Sequence, residues 1–155
     1  MKDRKQLSVS AIKDGTVIDH IPAKSLFKVI DILGLDHIEK MMTFGTNLES
    51  KKLGLKGIMK LSEVFFAEDD LNRIALVAPD VKVNIIRDYE VVEKRLVEIP
   101  EKVEGIVKCV NPVCITNNQE IRTKFELVSR NPVGLKCHYC EKITDANNMV
   151  IISSS

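Results

Sequence analysis

Short runs of alternating apolar and polar residues fill most of this 155-residue chain, and twice the period lengthens to that of a helix. Residues 7–13 (LSVSAIK) alternate as a half-buried strand does, Asp14-Gly15 is a turn dipeptide, and TVIDHIP continues in extended form. Pro22 suits the first turn of a helix, where its missing N–H costs nothing. In AKSLFKVIDILGL the spacing puts Leu26, Phe27, Ile30 and Leu33 on one helical face, with Gly34 as the stop. KMMTFGTNLE and LKGIMKLSEVFF read as two strands joined through residues 51–54. AEDDLNRIALVAP places Glu68, Asp69 and Asp70 where a helix N-terminus favours negative charge. Leu71, Ile74, Ala75 and Ala78 form its inner stripe, and Pro79 ends it. VKVNII and YEVVEKRLVEI close the set as strands, with Arg87-Asp88 between them.

The order is β, α, β, β, α, β plus an added strand. It predicts an α+β fold with a ferredoxin-like (βαββαβ) N-terminal domain over residues 1–100. LVEIPEKVEG reads as the link into a second domain, residues 101–155. There GIVKCV, IRTKFELVS, GLKC and NMVII suggest a small all-β, zinc-ribbon-like unit. Residues 153–155 read as a frayed end.

Composition narrows the function. Hydrophobic residues make up 45%, as in a globular protein, and the net charge is +1. Residues 101–155 hold seven Lys and Arg against six Asp and Glu, leaving sixteen of each before them, so neither half is a basic nucleic-acid footprint. With five Phe, two Tyr and no Trp, stacking platforms for single strands are scarce. Charge thus weighs against the alternative, a zinc-ribbon nucleic-acid-binding or transcription-associated module, and no nucleic-acid partner is expected. The first residues lack an apolar run of signal-peptide length, and no stretch approaches the roughly 18 apolar residues of a membrane span. The expectation is a cytoplasmic protein with no membrane partner. The chain carries no phosphate-loop, zinc-protease or serine-hydrolase motif, so a binding protein is expected rather than an enzyme.

All four cysteines lie late, as C-x4-C at Cys109 and Cys114 and C-x2-C at Cys137 and Cys140. Two knuckles joined by a spacer of this size can set four thiolates around one tetrahedral Zn²⁺. A redox pair at Cys137 and Cys140 would leave Cys109 and Cys114 unexplained, and buried free thiols do not account for paired spacing. Four cysteines close the coordination shell, so one structural Zn²⁺ per chain is expected, and His138 is a surface residue of the knuckle. The metal has a physical task, because a domain this small has a weak core. Structural zinc contributes about 10–16 kcal/mol of apparent folding free energy.

One further group stands out. Asp19 and His20 sit together in the apolar extended run GTVIDHIP, and Lys60 and Lys94 are single lysines in apolar strands. Singly, each reads as a solvated strand position. Together they suit an anionic ligand such as a nucleoside triphosphate.

AIKDGTVIDHIPA, VNIIRDYEVVEK and CVNPVCIT with LKCHYCEK resemble the regulatory chain of aspartate carbamoyltransferase, in order and over essentially the whole length. The resemblance implies a non-catalytic chain of pyrimidine biosynthesis. Its first domain would bind the nucleotide effectors CTP and ATP, with UTP a further candidate, and its zinc domain would dock on a separate catalytic chain. It also implies a homodimer, since the family joins two catalytic trimers through three regulatory dimers. Carried over by position, Asp19 and Lys60 address ribose and base, and main-chain groups at Ile12 and Tyr89 read the exocyclic amino group. Val91 and Lys94 meet the phosphates with His20 nearby, and Val9, Ser10, Ala11, Val17, Asn84 and Ile86 line the pocket. Ser10 stands where the family carries an acidic residue, which bears on effector preference. Arg4, Lys5 and Lys56 would help a second, metal-bridged nucleotide. Asn111, Tyr139, Glu141 and Lys142 would contact the catalytic chain. Val113 and His138 replace more polar or cationic residues there.

Overall fold

The computed structural model describes residues 11–51 and 54–152. The first part is a five-stranded antiparallel sheet built from β1 (Gly15–Pro22), β2 (Met42–Ser50), β3 (Gly54–Ser62), β4 (Lys82–Arg87) and β5 (Glu90–Leu96). Their order across the sheet is β2-β3-β1-β4-β5. Helix α1 (Leu26–Leu33) connects β1 to β2, and α2 (Glu68–Asn72), continued by a 3-10 turn at Arg73–Leu76, connects β3 to β4. The tail adds β6 (Lys102–Glu104), β7 (Val107–Lys108), α3 (Ile115–Asn118), β8 (Lys124–Arg130), β9 (Val133–Cys137), β10 (Ile143–Asp145) and β11 (Val150–Ile151). These make a four-stranded sheet, β10-β9-β8-β6, and a two-stranded one, β11-β7. The whole is a mixed α/β protein dominated by antiparallel sheets.

Strand alternation sets the two faces of the large sheet. Ile18, Met59, Leu61, Val83 and Ile85 point to one side and are buried, against Leu26 and Val29 of α1 and Leu71, Ile74, Ala75 and Ala78 of the α2 segment. The inner stripe expected after Asp70 is therefore in place, although its second half winds as 3-10 helix. The same cluster runs on through Val97, Ile99, Val103 and Ile106 to Phe125 and Leu135 beside the cysteines. Each such Leu, Ile or Phe contributes roughly 1.5–3 kcal/mol on burial.

Several expectations need correction. Phe27 is 66% exposed, not on the inner face of α1; Leu26 and Val29 take that place. The reason is the helical period itself: Val29, Ile30 and Leu33 fall within one arc around Leu26, and Phe27, one residue or about 100° on from Leu26, falls outside it. Phe27 instead meets Phe44 edge-on at 6.5 Å. The strand expected through Phe66 ends at Ser62, where Glu63 turns to a positive φ of 60°. Of the strand expected at residues 7–13, the first four lie outside the described residues, and 11–14 form no strand. The β4–β5 turn falls at Asp88-Tyr89, one residue later than expected. Both have positive φ, the two-residue geometry that matches strand twist. Gly34 ends α1 in the left-handed conformation as expected, its amide reaching Asp31 O at 3.2 Å.

Candidate effector face and metal centre

The cysteines converge. Cys109 follows β7, Cys114 precedes α3, Cys137 ends β9 and Cys140 lies in the turn after it. Their sulfur atoms all lie within 4.8 Å of one another. Cys109 and Cys140 are 3.5 Å apart and Cys114 and Cys137 3.8 Å, far beyond the bond length of a disulfide, and all four are free. A tetrahedral ion with Zn–S bonds of ~2.3 Å has S···S edges of ~3.8 Å, so the spacing fits one such ion. Among the described residues this is the one cluster of metal-ligating side chains close enough to share an ion.

Local polar chemistry holds the knuckles open for it. Asn117 Nδ2 donates to the carbonyls of Cys109 (3.0 Å) and Asn111 (2.7 Å), and Asn118 Nδ2 to that of Cys114 (2.8 Å). Thr116 Oγ1 donates to Cys114 Sγ at 3.2 Å. In the second knuckle the Glu141 amide donates to Cys137 O at 3.0 Å, with Glu141 at φ 66° closing the turn. Burial pushes the Cys109 thiol up to about 12 and raises Cys137 as well. At Cys140 burial acts upward too, but the Lys142 amide, Asn111 and the neighbouring thiols together bring it down to about 7. A divalent cation reverses this logic, because coordination deprotonates thiols outright.

The second assembly lies on the sheet face turned away from the helices. Residues directly opposite in antiparallel strands share a face. Lys60 of β3 pairs with Val17 of β1, Val17 with Asn84 of β4, and Asn84 with Lys94 of β5. These four expected site residues therefore form a single row across four strands. A second row, toward the other end of β1, joins Gly15, Ile86 and Val91. Asp19 lies on the same face, opposite Lys82, and forms a 3.0 Å ion pair with Lys56. Burial lowers the pKa of Lys60 and the Asp19 carboxylate partly counters it. His20 sits in the β1 irregularity between Ile18 and Ile21 at φ 61°, its amide donating to Asp19 Oδ1 at 2.7 Å. Its Nδ1 is buried 3.5 Å from Asp19 Oδ2, without hydrogen-bonding it.

Residues 11–14 close one end of this face. The Tyr89 amide donates to Lys13 O (2.8 Å), the Asp88 amide to Asp14 Oδ1 (3.1 Å), and the Glu63 amide to Asp14 O (2.9 Å). Gly15 is required at this corner, since at its φ of 148° a Cβ would collide with the Leu61 carbonyl. Ile12 is half-buried against it, while Ala11 is exposed. Val9, Ser10, Arg4 and Lys5 lie outside the described residues. The expected partner residues gather on the knuckle surface. Asn111 is half-buried, Glu141 and Lys142 are exposed, and Tyr139 meets His138 edge-on at 5.0 Å. Sequence reasoning missed Lys82, which the alternation Lys82, Asn84, Ile86 could have supplied. It also missed the role of Thr116, Asn117 and Asn118, for which TNN after Cys114 was the available signal.

Two family models match the chain. The description of one is aspartate carbamoyltransferase regulatory chain, allosteric domain, at residues 7–98; that of the other is the metal binding domain of the same regulatory chain, at residues 101–150. The chain belongs to this regulatory-chain family. Aspartate carbamoyltransferase regulatory chains of Bacteroides fragilis (52% identical) and Bacteroides thetaiotaomicron (51%) align over 98% of this chain and all of their own length. That of the archaeon Pyrococcus horikoshii is 52% identical over 94% of this chain and 97% of its own. As a regulatory chain of aspartate carbamoyltransferase, the molecule carries an allosteric and a metal-binding domain, and its four cysteines are positioned for zinc. No helix among the described residues is long and apolar enough to cross a membrane.

Proposed function

We propose that this chain is the non-catalytic, cytoplasmic regulatory subunit of an aspartate carbamoyltransferase whose catalytic chain is a separate polypeptide. In this reading residues 1–100 are a ferredoxin-like effector domain and residues 101–155 a zinc domain that docks on the catalytic chain. The sheet order β2-β3-β1-β4, antiparallel throughout with one helix in each crossover, supports the first assignment. The break between the matched family models, at residues 98 and 101, supports the division.

The observation that carries the effector role is the row Lys60, Val17, Asn84, Lys94. Two lysines at separate points of one open face suit the charge of a triphosphate, and an apolar residue and an amide lie between them. CTP, ATP and UTP are the candidate ligands. Asp19 and Lys60 take ribose and base, backbone groups of Ile12 and Tyr89 read the amino group, and Val91, Lys94 and His20 border the phosphates. Ala11 and Ile86 complete the described wall; Val9 and Ser10, which the family resemblance assigns to the same site, lie outside the described residues. His20 holds a left-handed backbone conformation, the kind of local strain that clusters at ligand clamps.

Zn²⁺ is the metal assigned to Cys109, Cys114, Cys137 and Cys140, and an all-thiolate set with the observed spacing suits it. Asn111, Tyr139, Glu141 and Lys142 face the catalytic chain. A dimer of regulatory chains is supported by the outer edge of β2. Its open strand and the exposed Phe44 and Leu48, with Met41 and Phe27 nearby, would otherwise be an association hazard.

Titration of the purified chain with CTP, ATP and UTP tests the reading. Nucleotide binding is expected, with no comparable binding of free amino acids. Stronger binding of an amino acid than of any nucleotide would overturn it. In the reconstituted complex, CTP or ATP should shift the aspartate saturation curve, and should not do so for the catalytic subunit alone.

A further inference from the structure

Between the effector face and the metal centre the chain passes through residues 97–101, and that short run is held from both sides. On the effector side the Glu98 amide donates to Asn72 Oδ1, at the end of α2, at 3.2 Å. On the metal side Arg130 Nη1, from the end of β8, donates to the Ile99 carbonyl at 2.6 Å. The Leu127 amide donates to Glu101 O at 2.8 Å, and the pairing continues as β6 on β8, with Lys102 opposite Glu126. Val97 and Ile99 are buried, so the link is anchored by its alternate side chains as well. A cleft of about 500 Å³ opens beside it, between Asp69, Asn72 and Arg73 on one wall and Glu101, Lys102 and Arg122 on the other.

The arrangement divides the link unevenly. From Glu101 onward its main chain pairs with β8, and before that Ile99 is held by the Arg130 side chain. Before Val97 the main chain is β5, which carries Lys94. The joint between these two stiff pieces is residues 97–100, pinned at Glu98 by Asn72 and at Ile99 by Arg130. A free joint of a few residues absorbs a small displacement by rotating φ and ψ, whereas a pinned one passes it on.

We propose that Asn72 and Arg130 are positioning residues of the regulatory response, clamping the link so that a shift of β5 on ligand binding moves β6 and the metal domain with it. This rests on the effector reading above. Neither residue lies on the effector face or binds the metal, so ligand affinity and metal content are separable from coupling.

The test uses the complex reconstituted with the catalytic chain, carrying wild type, Asn72→Ala, Asn72→Asp or Arg130→Met. Three quantities are read on each preparation: CTP affinity, zinc content, and the change in half-saturating aspartate caused by CTP. Asn72→Ala and Arg130→Met should keep wild-type CTP affinity and zinc but reduce the CTP-induced change by about threefold or more. Asn72→Asp keeps an acceptor for the Glu98 amide and should retain the response. Amide exchange at Glu98 should accelerate in Asn72→Ala and not in Asn72→Asp. Since Asn72 lies outside the metal domain, the Ala and Asp pair decides the question even where Arg130→Met disturbs assembly. A wild-type complex that ignores CTP overturns the effector reading and the clamp together. A responsive wild type with an equally responsive Asn72→Ala overturns the clamp alone.

Discussion

The metal centre and the effector face solve opposite problems. At the knuckles, four sulfur atoms are drawn within 4.8 Å and three of the four cysteines are buried. At the sheet, Lys94, Tyr89 and Val91 stay exposed, and the charged groups are spread over several strands. In the proposed reading the first is a closed shell whose worth is folding free energy, and the second an open surface whose worth is affinity for a nucleotide. Disturbing the first should therefore cost structure, and disturbing the second should cost ligand.

The largest effect is expected on removing the metal. Cys109→Ser or Cys137→Ser, or chelation of the native chain, should unfold the region from residue 101 onward and leave the five-stranded sheet folded. The free energy at stake is about 10–16 kcal/mol. Metal analysis and amide signals assigned to each region check it, and freshly purified, reduced protein without zinc would sink it. Next comes the packing behind the effector face. Leu71→Ala removes a buried side chain from the helix layer and should cost about 2–5 kcal/mol in a urea melt. Its nucleotide affinity should be unchanged wherever the protein remains folded. A large loss of affinity would show that the helix layer and the ligand face are not independent.

Lys94→Ala reverses that pattern. The side chain is exposed, so stability should hold, while loss of a charge-assisted phosphate contact should weaken CTP and ATP binding by about 1.5–3 kcal/mol, tenfold or more. Equal affinities by calorimetry would refute the role given to it. The smallest effect belongs to Lys60. Its folded pKa is lowered by burial, so between the folded value and the ordinary 10.5 the unfolded chain binds more protons. Stability should rise with pH across that alkaline window. Lys60→Gln should flatten the rise and leave neutral-pH stability equal or slightly higher, while weakening nucleotide binding. Melts at two pH values for each protein separate the cases.

Much of this contrast was legible before any coordinates. Ligand spacing within each knuckle is local chemistry, so the metal site could be read from residue type and count, although the short sulfur contacts, Cys109 to Cys140 and Cys114 to Cys137, join the two knuckles across the fold. The inner stripe of Leu71, Ile74, Ala75 and Ala78 was legible for the same reason, since a helical period is a property of neighbouring residues. Where a local signal was ambiguous the expectation slipped. In α1 an apolar Phe27 borders an arc that Leu26, Val29, Ile30 and Leu33 already fill, and apolar character alone did not say which side would face the sheet.

The effector face depended on more than local pattern. That Lys60, Val17, Asn84 and Lys94 form a row depends on the register of three strand pairs. A slip of one residue in any of them would send its lysine to the opposite face. The Asp19–Lys56 pair likewise spans 37 positions, at the irregularity of β1 between Ile18 and Ile21. Asn72 and Arg130 carry no motif at all, because what they recognise is the main chain of a link distant in sequence. Short-range spacing announced the two cysteine knuckles and the helix stripe. Long-range pairing alone decided which polar side chains share a surface, because register is fixed by the sum of packing on both faces of a sheet and by no single residue within it.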